Sequence, residues 1–352
     1  MKHALVVRGL VKRFGNHVAV DDISFEVPRG VVYGILGPNG AGKSTTLRMI
    51  NDIIAPDAGE IIVLDGLAPG YAAAQRIGYL PEERGLYPKM KVADMIEFVG
   101  ELRGLGRGEA RRRTVRWLDR LGLAQWAANK VQDLSKGMQQ KVQFATALIH
   151  EPELVILDEP WSGLDPINAE VLREAVEDIR KSGRTVLFST HQMEQAEKLV
   201  DHICIIASGK KLLDGPLADI RRREAADGII SLGLAPGPGD AASRAAADAV
   251  LGDRALVAER RAPRARAGAA DCEVKLADGA TAQQLLAALV AAGVGLQRFE
   301  VVVPTLHQIF VDCVGAGATV AERRPDAPDA PSAPSAPSAP SAPSASDRGA
   351  VA

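Results

Sequence analysis

Short β-rich runs, made up mainly of apolar residues, recur in the first part of the chain and alternate with segments of helical periodicity. The clearest runs occupy 31–36, 154–157, 185–189 and 203–206. Runs of this length, bounded by turn residues, predict strands that are buried on both faces of a sheet. Because they alternate with helical patterns, the sheet should be mostly parallel, and the expected fold class from residue 5 to about 220 is α/β.

The same pattern divides the chain into segments. Between residues 90 and 141 amphipathic helices replace the strand-like runs, which predicts a helical subdomain within a first domain of residues 1–225. Alternating strands and helices then predict a small α+β domain at 226–315, and their order suggests a ferredoxin-like arrangement. At 316–352 an Ala/Pro/Ser-rich composition with repeated Ala-Pro-Ser triplets excludes helix and sheet, so we expect a disordered tail.

Composition and charge narrow the possible partners. The chain has 352 residues, 47% of them hydrophobic, which is enough to bury a sizeable core. Its 42 basic and 44 acidic residues leave a net charge of −2, so no large electric field favours nucleic acid. The short arginine clusters at 111–113, 221–223 and 260–266 lack interleaved aromatic residues, and we expect no nucleic-acid partner.

Cysteine usage and apolar run length bear on the compartment. Cys204, Cys272 and Cys313 form no CxxC pair, which argues against a disulfide framework and a thiolate zinc site and favours a reducing cytosol. The N-terminus lacks a signal-peptide core, and no apolar run approaches the ~20 residues that span a bilayer. If the protein serves a membrane, we expect it to act from outside the bilayer.

The strongest chemical signal directly follows the apolar run at 31–36. The pattern GxxxxGK[ST] between a strand and a helix is that of a phosphate-binding P-loop. Its glycines let backbone N–H groups surround a phosphate, its lysine reaches the terminal phosphates, and the hydroxyl of Ser44 can bind Mg²⁺. The residues expected to bind the nucleotide are Gly37, Pro38, Asn39, Gly40, Ala41, Gly42, Lys43, Ser44 and Thr45.

Two carboxylates follow the run at 154–157. Asp158 and Glu159 emerge at the end of a buried strand, which is where ligands bind in open α/β sheets. We expect Asp158 to hold the metal and Glu159 to act as the general base for the water that attacks the γ-phosphate. The alternative, a pair of solvated acids at a strand end, is weakened by the neighbouring P-loop.

A third motif identifies a family. The segment Leu134-Ser135-Lys136-Gly137-Met138-Gln139-Gln140 resembles the LSGGQ signature of ABC ATPases, and the resemblance covers residues 5 to about 213. Taken alone, Ser135 fits equally well as a helix cap, although a capped helix N-terminus is also an anion site. Other family elements follow: Phe14 resembles the aromatic residue that stacks on adenine, Asp165 lies in a segment like the D-loop, and His191 resembles the switch histidine.

The resemblance implies a subunit that binds and hydrolyses ATP with Mg²⁺ and powers a separate integral-membrane permease. It also implies a head-to-tail homodimer or heterodimer in which Ser135 and Gly137 contact the partner's nucleotide. Such a subunit is expected at the cytoplasmic face of the cell membrane, held there through the permease.

Two segments depart from the family pattern, the Q-loop at Glu82 and the signature at Lys136 and at Met138, which stands where the family has Gln. The Q-loop usually has Gln after Ile-Gly-Tyr-Leu-Pro, but here Glu82 follows Pro81. A carboxylate is a better Mg²⁺ ligand than an amide, yet it repels a γ-phosphate by ~4 kcal/mol at about 4 Å. We hypothesise that Glu82 either binds the metal within the catalytic site or pairs with a basic permease loop. Lys136 replaces the first signature glycine and either adds positive charge near the partner's γ-phosphate or points into solvent.

These variants most resemble the sodium-exporter type of ATP-binding subunit, in which a small accessory domain follows the ATPase, so export is the favoured direction. The alternative is a soluble ABC ATPase acting on ribosomes or DNA. Those proteins carry two ATPase units or a long coiled-coil insertion, and this chain has neither. A regulator that binds nucleotide without turnover is disfavoured because Glu159 and His191 are both present.

Overall fold

The computed structural model describes residues 3–83, 85–226, 228–235, 240–261 and 272–321. The first part contains, in chain order, β1 (His3–Phe14), β2 (His17–Pro28), β3 (Val32–Leu36), α1 (Lys43–Ile50), β4 (Ala58–Val63), α2 (Tyr71–Ala74), β5 (Ile77–Leu80), α3 (Val92–Leu102), α4 (Arg107–Arg120), α5 (Lys136–Leu148), β6 (Leu154–Asp158), α6 (Pro166–Lys181), β7 (Thr185–Thr190), α7 (Met193–Glu197), β8 (His202–Ala207), β9 (Lys210–Pro216) and α8 (Leu217–Ala226). The second part contains β10 (Ile229–Leu234), α9 (Asp240–Leu251), β11 (Val257–Arg261), β12 (Cys272–Leu276), α10 (Ala282–Ala291), β13 (Leu296–Val301) and α11 (Leu306–Ala321).

A six-stranded sheet forms the centre of the first part, with the order β5-β6-β7-β3-β8-β9. All of its pairings are parallel except that of β8 with β9, and every residue of β3, β6 and β7 is buried. The predicted α/β class and mostly parallel sheet are therefore confirmed. Because β6, β7 and β3 are adjacent and parallel, the loops that follow them meet at one edge of the sheet.

A second, antiparallel sheet has the order β2-β1-β4 and was not predicted. Its long strands mix buried and exposed positions and contain several register shifts, so they lack the continuous apolar runs of the central strands. One apolar core lies between the two sheets and joins Leu5, Leu10 and Ile23 to Tyr33 and Ile156. The first domain is thus a parallel sheet with an antiparallel sheet on one face.

Helices cover the other face of the parallel sheet. Residues from α3, α4, α5 and α6 share one buried cluster with β3, β6 and β7. The predicted helical region at 90–141 contains α3, α4, the 3-10 helices Ala124–Trp126 and Val131–Asp133, and the start of α5. No helix among the described residues has both the length and the apolar character needed to cross a bilayer.

The second part is a four-stranded antiparallel sheet with its own apolar core. Its element order is βαββαβ and its strand order is β11-β12-β10-β13, which is the ferredoxin-like arrangement that the sequence suggested. The strand β11 was not predicted, because three of its five residues, Ala258, Glu259 and Arg260, are exposed and it contains no apolar run.

The last helix, α11, was also not predicted. It includes residues 316–321, which the sequence assigned to the disordered tail, and no proline interrupts the chain between 306 and 321. Residues 322–352, the rest of that predicted tail, lie outside the described residues.

Candidate nucleotide-binding site

The predicted P-loop connects β3 to α1, and two of its glycines are required by sterics. A Cβ atom on Gly37 would lie 2.1 Å from the carbonyl oxygen of Ile206, and one on Gly42 would lie 2.3 Å from that of Ala19. Gly42 also has φ +100°, a conformation that side chains disfavour. The first turn of α1 has neither a side-chain cap nor an acidic residue, so its backbone N–H groups are available to a phosphate.

Lys43, the P-loop lysine, is buried within its own loop. Its Nζ donates hydrogen bonds to the carbonyl oxygens of Gly37 at 2.9 Å and Pro38 at 3.1 Å, and lies 3.6 Å from Oε1 of Glu159. The ammonium group is therefore at the junction between the phosphate loop and the end of β6.

Asp158 is fully buried at the end of β6, and its two oxygens differ in their contacts. Oδ1 accepts hydrogen bonds from Ser44 Oγ at 3.0 Å and from the hydroxyl of Ser189, whereas Oδ2 has no hydrogen-bond partner among the described residues. Burial raises the pKa of Asp158 above its ordinary range, partly opposed by the two hydroxyl donors. A buried carboxylate with one unsatisfied oxygen beside a hydroxyl fits Mg²⁺, which prefers such oxygen ligands.

Glu159 is held in a defined orientation by β7. Its carboxylate accepts hydrogen bonds from Thr190 Oγ1 at 3.0 Å and from the backbone N–H of His191 at 3.1 Å, and its Oε1 lies 2.9 Å from Nδ1 of His191. Glu159 also has φ 48°, in the left-handed region. The imidazole of His191 is 42% exposed, so the ring is accessible on the side away from Glu159.

Glu82, by contrast, lies outside this hydrogen-bonded group. It is exposed in the segment after β5, and among the described residues it makes no hydrogen bond to Ser44. The segment itself is anchored to α5, because Gln143 Nε2 donates to the carbonyl oxygens of Pro81 at 3.1 Å and Glu83 at 3.0 Å. The carboxylate that approaches Arg48 near the P-loop is that of Glu83, at 3.8 Å.

Phe14 lies at the end of β1, where the residue is 51% exposed. The ammonium of Lys12 is 5.5 Å from the ring centroid. The partner strand β2 lies against the P-loop, since the carbonyl of Ala19 closely faces Gly42. An exposed ring on a hairpin beside the phosphate loop is suited to stacking on a base.

The predicted signature and D-loop residues lie at two adjacent helix N-termini. Ser135 caps α5 by accepting a hydrogen bond from the backbone N–H of Met138 at 3.3 Å, and Asp165 caps α6 through the N–H of Asn168 at 2.9 Å. The hydrogen bonds from Asn168 lower the pKa of Asp165. A Cβ atom on Gly137 would lie 3.3 Å from Leu164 Cδ2, so the first turn of α5 is in contact with the segment that precedes α6. Ser135 and Lys136 are exposed in the single chain.

The structure therefore brings five of the predicted residues together, namely Lys43, Ser44, Asp158, Glu159 and His191. Glu82, Phe14 and the signature residues lie outside this hydrogen-bonded group. Sequence reasoning missed two contributors, Ser189 and Thr190, whose hydroxyls orient the two carboxylates. The available signal was their position at the carboxyl end of a buried strand adjacent to β6.

Comparisons with known proteins agree with this arrangement. Residues 20–162 match the family model described as ABC transporter, and residues 215–314 match that of the ATP-binding protein DrrA1-3-like C-terminal domain. A solved structure described as the ATP-binding subunit of an ABC transporter superposes with a TM-score of 0.59 and 32% identity, over 64% of this chain and 95% of that one.

Two relatives extend the match. An uncharacterized ABC transporter ATP-binding protein, YhaQ of Bacillus subtilis, is 38% identical over 312 residues, which are 89% of this chain and 99% of the relative. The Nod factor export ATP-binding protein I of Ralstonia nicotianae is 40% identical over 213 residues, 60% of this chain and 66% of the relative. Both family models match this chain, and its similarity to YhaQ extends over nearly the full length of that relative. This chain therefore belongs to the family of ABC transporter ATP-binding proteins.

Proposed function

We propose that this chain hydrolyses Mg-ATP and that the reaction drives export through a separate membrane permease. The observation that carries the proposal is the convergence of Lys43, Ser44, Asp158, Glu159 and His191 at the carboxyl edge of one sheet. Phosphoryl transfer requires one site that binds the phosphates and the metal and that positions a water molecule beside a base. These five residues supply the groups for each of these tasks.

The roles follow from the contacts. The N–H groups at the start of α1 and the ammonium of Lys43 hold the phosphates, while Ser44 and Asp158 hold Mg²⁺. The metal supplies positive charge that offsets the charge of the phosphates. Glu159 accepts a proton from the attacking water, and the hydrogen bonds from Thr190 and His191 fix the orientation of its carboxylate.

The complete site requires a second chain. Ser135 is exposed at the N-terminus of α5, and Gly137 is half-buried two residues further on. Both serve the nucleotide of the partner in a head-to-tail dimer, either of two identical chains or of two related ones. ATP then acts as a ligand shared by both subunits and favours the closed dimer, and hydrolysis removes that contact.

The permease contact is proposed beside the Glu82 segment and the helical subdomain. There the partly exposed rings of Tyr87 and Phe98 form an edge-to-face pair with centroids 6.0 Å apart. Export is supported by the similarity to the Nod factor export protein. We propose that the permease holds this chain at the cytoplasmic face of the membrane. Glu82 is proposed to pair with a basic loop of the permease or to bind Mg²⁺ directly.

A substitution of the base tests the hydrolysis proposal. Glu159→Gln keeps the size of the side chain but removes its basicity, so steady-state hydrolysis should fall by at least a hundredfold, within the range typical of a general base. The variant should also accumulate as an ATP-bound dimer on a sizing column in Mg-ATP. Glu101→Gln, at an exposed position of α3, provides the control. A Glu159→Gln protein that stays monomeric while the wild type hydrolyses ATP would contradict the dimer mechanism.

A second experiment addresses Glu82 and the permease. The tagged chain is recovered from detergent-solubilised membranes of its host, with and without a non-hydrolysable ATP analogue, and a polytopic membrane protein should accompany it. Glu82→Gln should then change either the Mg²⁺ dependence of hydrolysis or the recovery of that protein. If neither changes, Glu82 has neither proposed role.

A further inference from the structure

The short helix α7 begins two residues after His191. Its inward side chains, Met193 and Ala196, are buried, and the chain then passes through Leu199 and Val200 into β8. Because only Gln192 separates His191 from this helix, the position of the imidazole depends on how α7 is packed.

A helix from the far end of the described chain packs on α7. Leu306 and Ile309 of α11 are 0% and 2% exposed and belong to the same buried cluster as Met193 and Ala196, and α11 contacts α7 directly. These two side chains belong to the core of the ATPase domain, whereas the accessory sheet has a separate apolar core.

The connection between the accessory sheet and α11 is short and ordered by hydrogen bonds. β13 ends at Val301, and Val302 N–H donates to the carbonyl oxygen of Ile229 at 2.8 Å. Thr305 and Gln308 then cap the helix reciprocally. The backbone N–H of Thr305 donates to Gln308 Oε1 at 2.8 Å, and the backbone N–H of Gln308 donates to Thr305 Oγ1 at 3.3 Å. A displacement of the accessory sheet is therefore transmitted to α11 rather than absorbed by a long linker.

The other connection to the accessory domain also contacts α7. Arg221 of α8 forms an ion pair with Glu197, the last residue of α7, and Leu217 and Ile220 of α8 are buried in the same apolar cluster. Both chain connections of the accessory domain thus hold the helix that follows His191.

We propose that α11 is a positioning element for hydrolysis, through which the accessory domain sets the position of His191 relative to Glu159. Leu306 and Ile309 are the positioning residues and act through Met193 and Ala196. The proposal rests on the hydrolysis proposed above, because it concerns the same site. It predicts that loosening α11 slows the chemical step and leaves nucleotide binding at the P-loop intact.

The test uses the full chain and compares Ile309→Ala with Ile309→Val and with Val311→Ala, whose side chain is 50% exposed on the same helix. We expect kcat to decrease in the order wild type, Ile309→Val, Ile309→Ala, with a loss of about fivefold for alanine. The dissociation constant of a fluorescent ATP analogue should stay within about twofold and its stoichiometry at one per chain, which excludes loss of folded protein. Val311→Ala should match the wild type.

A second comparison separates positioning from general loosening. In a His191→Ala background, adding Ile309→Ala should change the residual single-turnover rate by less than about twofold, because the residue that α11 positions is absent. An equal loss in both backgrounds would overturn the proposal. The proposal would also be overturned if Ile309→Ala bound nucleotide fully and kept the kcat of the wild type. If the alanine variant does not fold, a wild-type kcat in Ile309→Val would overturn it instead. A wild-type protein that fails to hydrolyse ATP would instead refute the proposed function.

Discussion

Replacing Asp158 by asparagine should have opposite effects on the metal-free and metal-bound protein. In the structure this carboxylate is fully buried, one of its oxygens has no hydrogen-bond partner among the described residues, and burial raises its pKa. The ionised side chain therefore destabilises the metal-free fold. Asparagine retains the oxygen that accepts from Ser44 and Ser189 but carries no charge.

The magnitude follows from the unsatisfied group. An orphaned buried polar atom costs about 1–3 kcal/mol, and more when it is charged. The amide group of asparagine is also left without a partner there, so only the part of the cost that comes from the charge is removed, and the free energy of unfolding should rise by about 1–2 kcal/mol. For a domain of this size that corresponds to an increase in Tm of about 3–6 °C. With Mg-ATP at about a hundred times its Kd, binding should raise the free energy of unfolding of the wild type by about 2.7 kcal/mol. In Asp158→Asn the part of this stabilisation that depends on Mg²⁺ should be absent.

The assay is thermal unfolding of both proteins without nucleotide, with ATP and EDTA, and with ATP and Mg²⁺. The order of stability should reverse, with Asp158→Asn more stable without metal and the wild type more stable with Mg-ATP. Asp119→Asn, at an exposed position of α4, removes the same charge from the surface and should show no reversal. The reasoning is refuted if Asp158→Asn is less stable than the wild type without metal, or if Mg²⁺ shifts both equally.

Three further predictions concern the base, the phosphate loop and acid stability. Phe14→Ala should weaken ATP binding about tenfold by removing base stacking, with little change for inorganic triphosphate, as measured by calorimetric titration. Gly42→Ala should abolish ATP binding because its Cβ would lie 2.3 Å from the Ala19 carbonyl oxygen, whereas Gly104→Ala, with a similar φ but open space, should bind normally. Burial lowers the pKa of His150 from 6.5 to about 4. The contribution of the neutral imidazole to folding stability is therefore fully present above pH 6.5, and the free energy of unfolding falls by up to about 3 kcal/mol as the pH approaches 4. His150→Gln should make this loss smaller, as measured by urea unfolding at pH 7 and pH 5.

The central sheet was predictable because its strands are buried on both faces. Residues 154–157 and 186–188 read as continuous apolar runs, and adjacent parallel strands bring the residues that follow them to the same edge. The grouping of Lys43, Asp158 and Glu159 follows from that geometry once the P-loop is recognised.

The antiparallel sheet and the contact of α11 with α7 were not predictable in the same way. β1 and β2 have mixed burial, and their register shifts interrupt the alternation that marks a half-buried strand. Ile309 reads as one apolar residue on an amphipathic helix, and nothing local indicates that it belongs to the same buried cluster as Met193. Of the neighbouring acids Glu82 and Glu83, it is Glu83 that approaches Arg48, and the sequence does not specify which of the two does so.

The helix α5 connects two proposed contacts at separate points along its length. Ser135 at its N-terminus faces the proposed partner subunit, and Gln143 holds the backbone of the segment that contains Glu82. The two residues are eight positions apart, or about 12 Å along the axis. If the helix moves as a rigid body, a tilt of about 5° at the proposed subunit contact displaces the segment proposed to contact the permease by about 1 Å. Nucleotide binding between the two subunits and movement of the permease would then be coupled through a single helix.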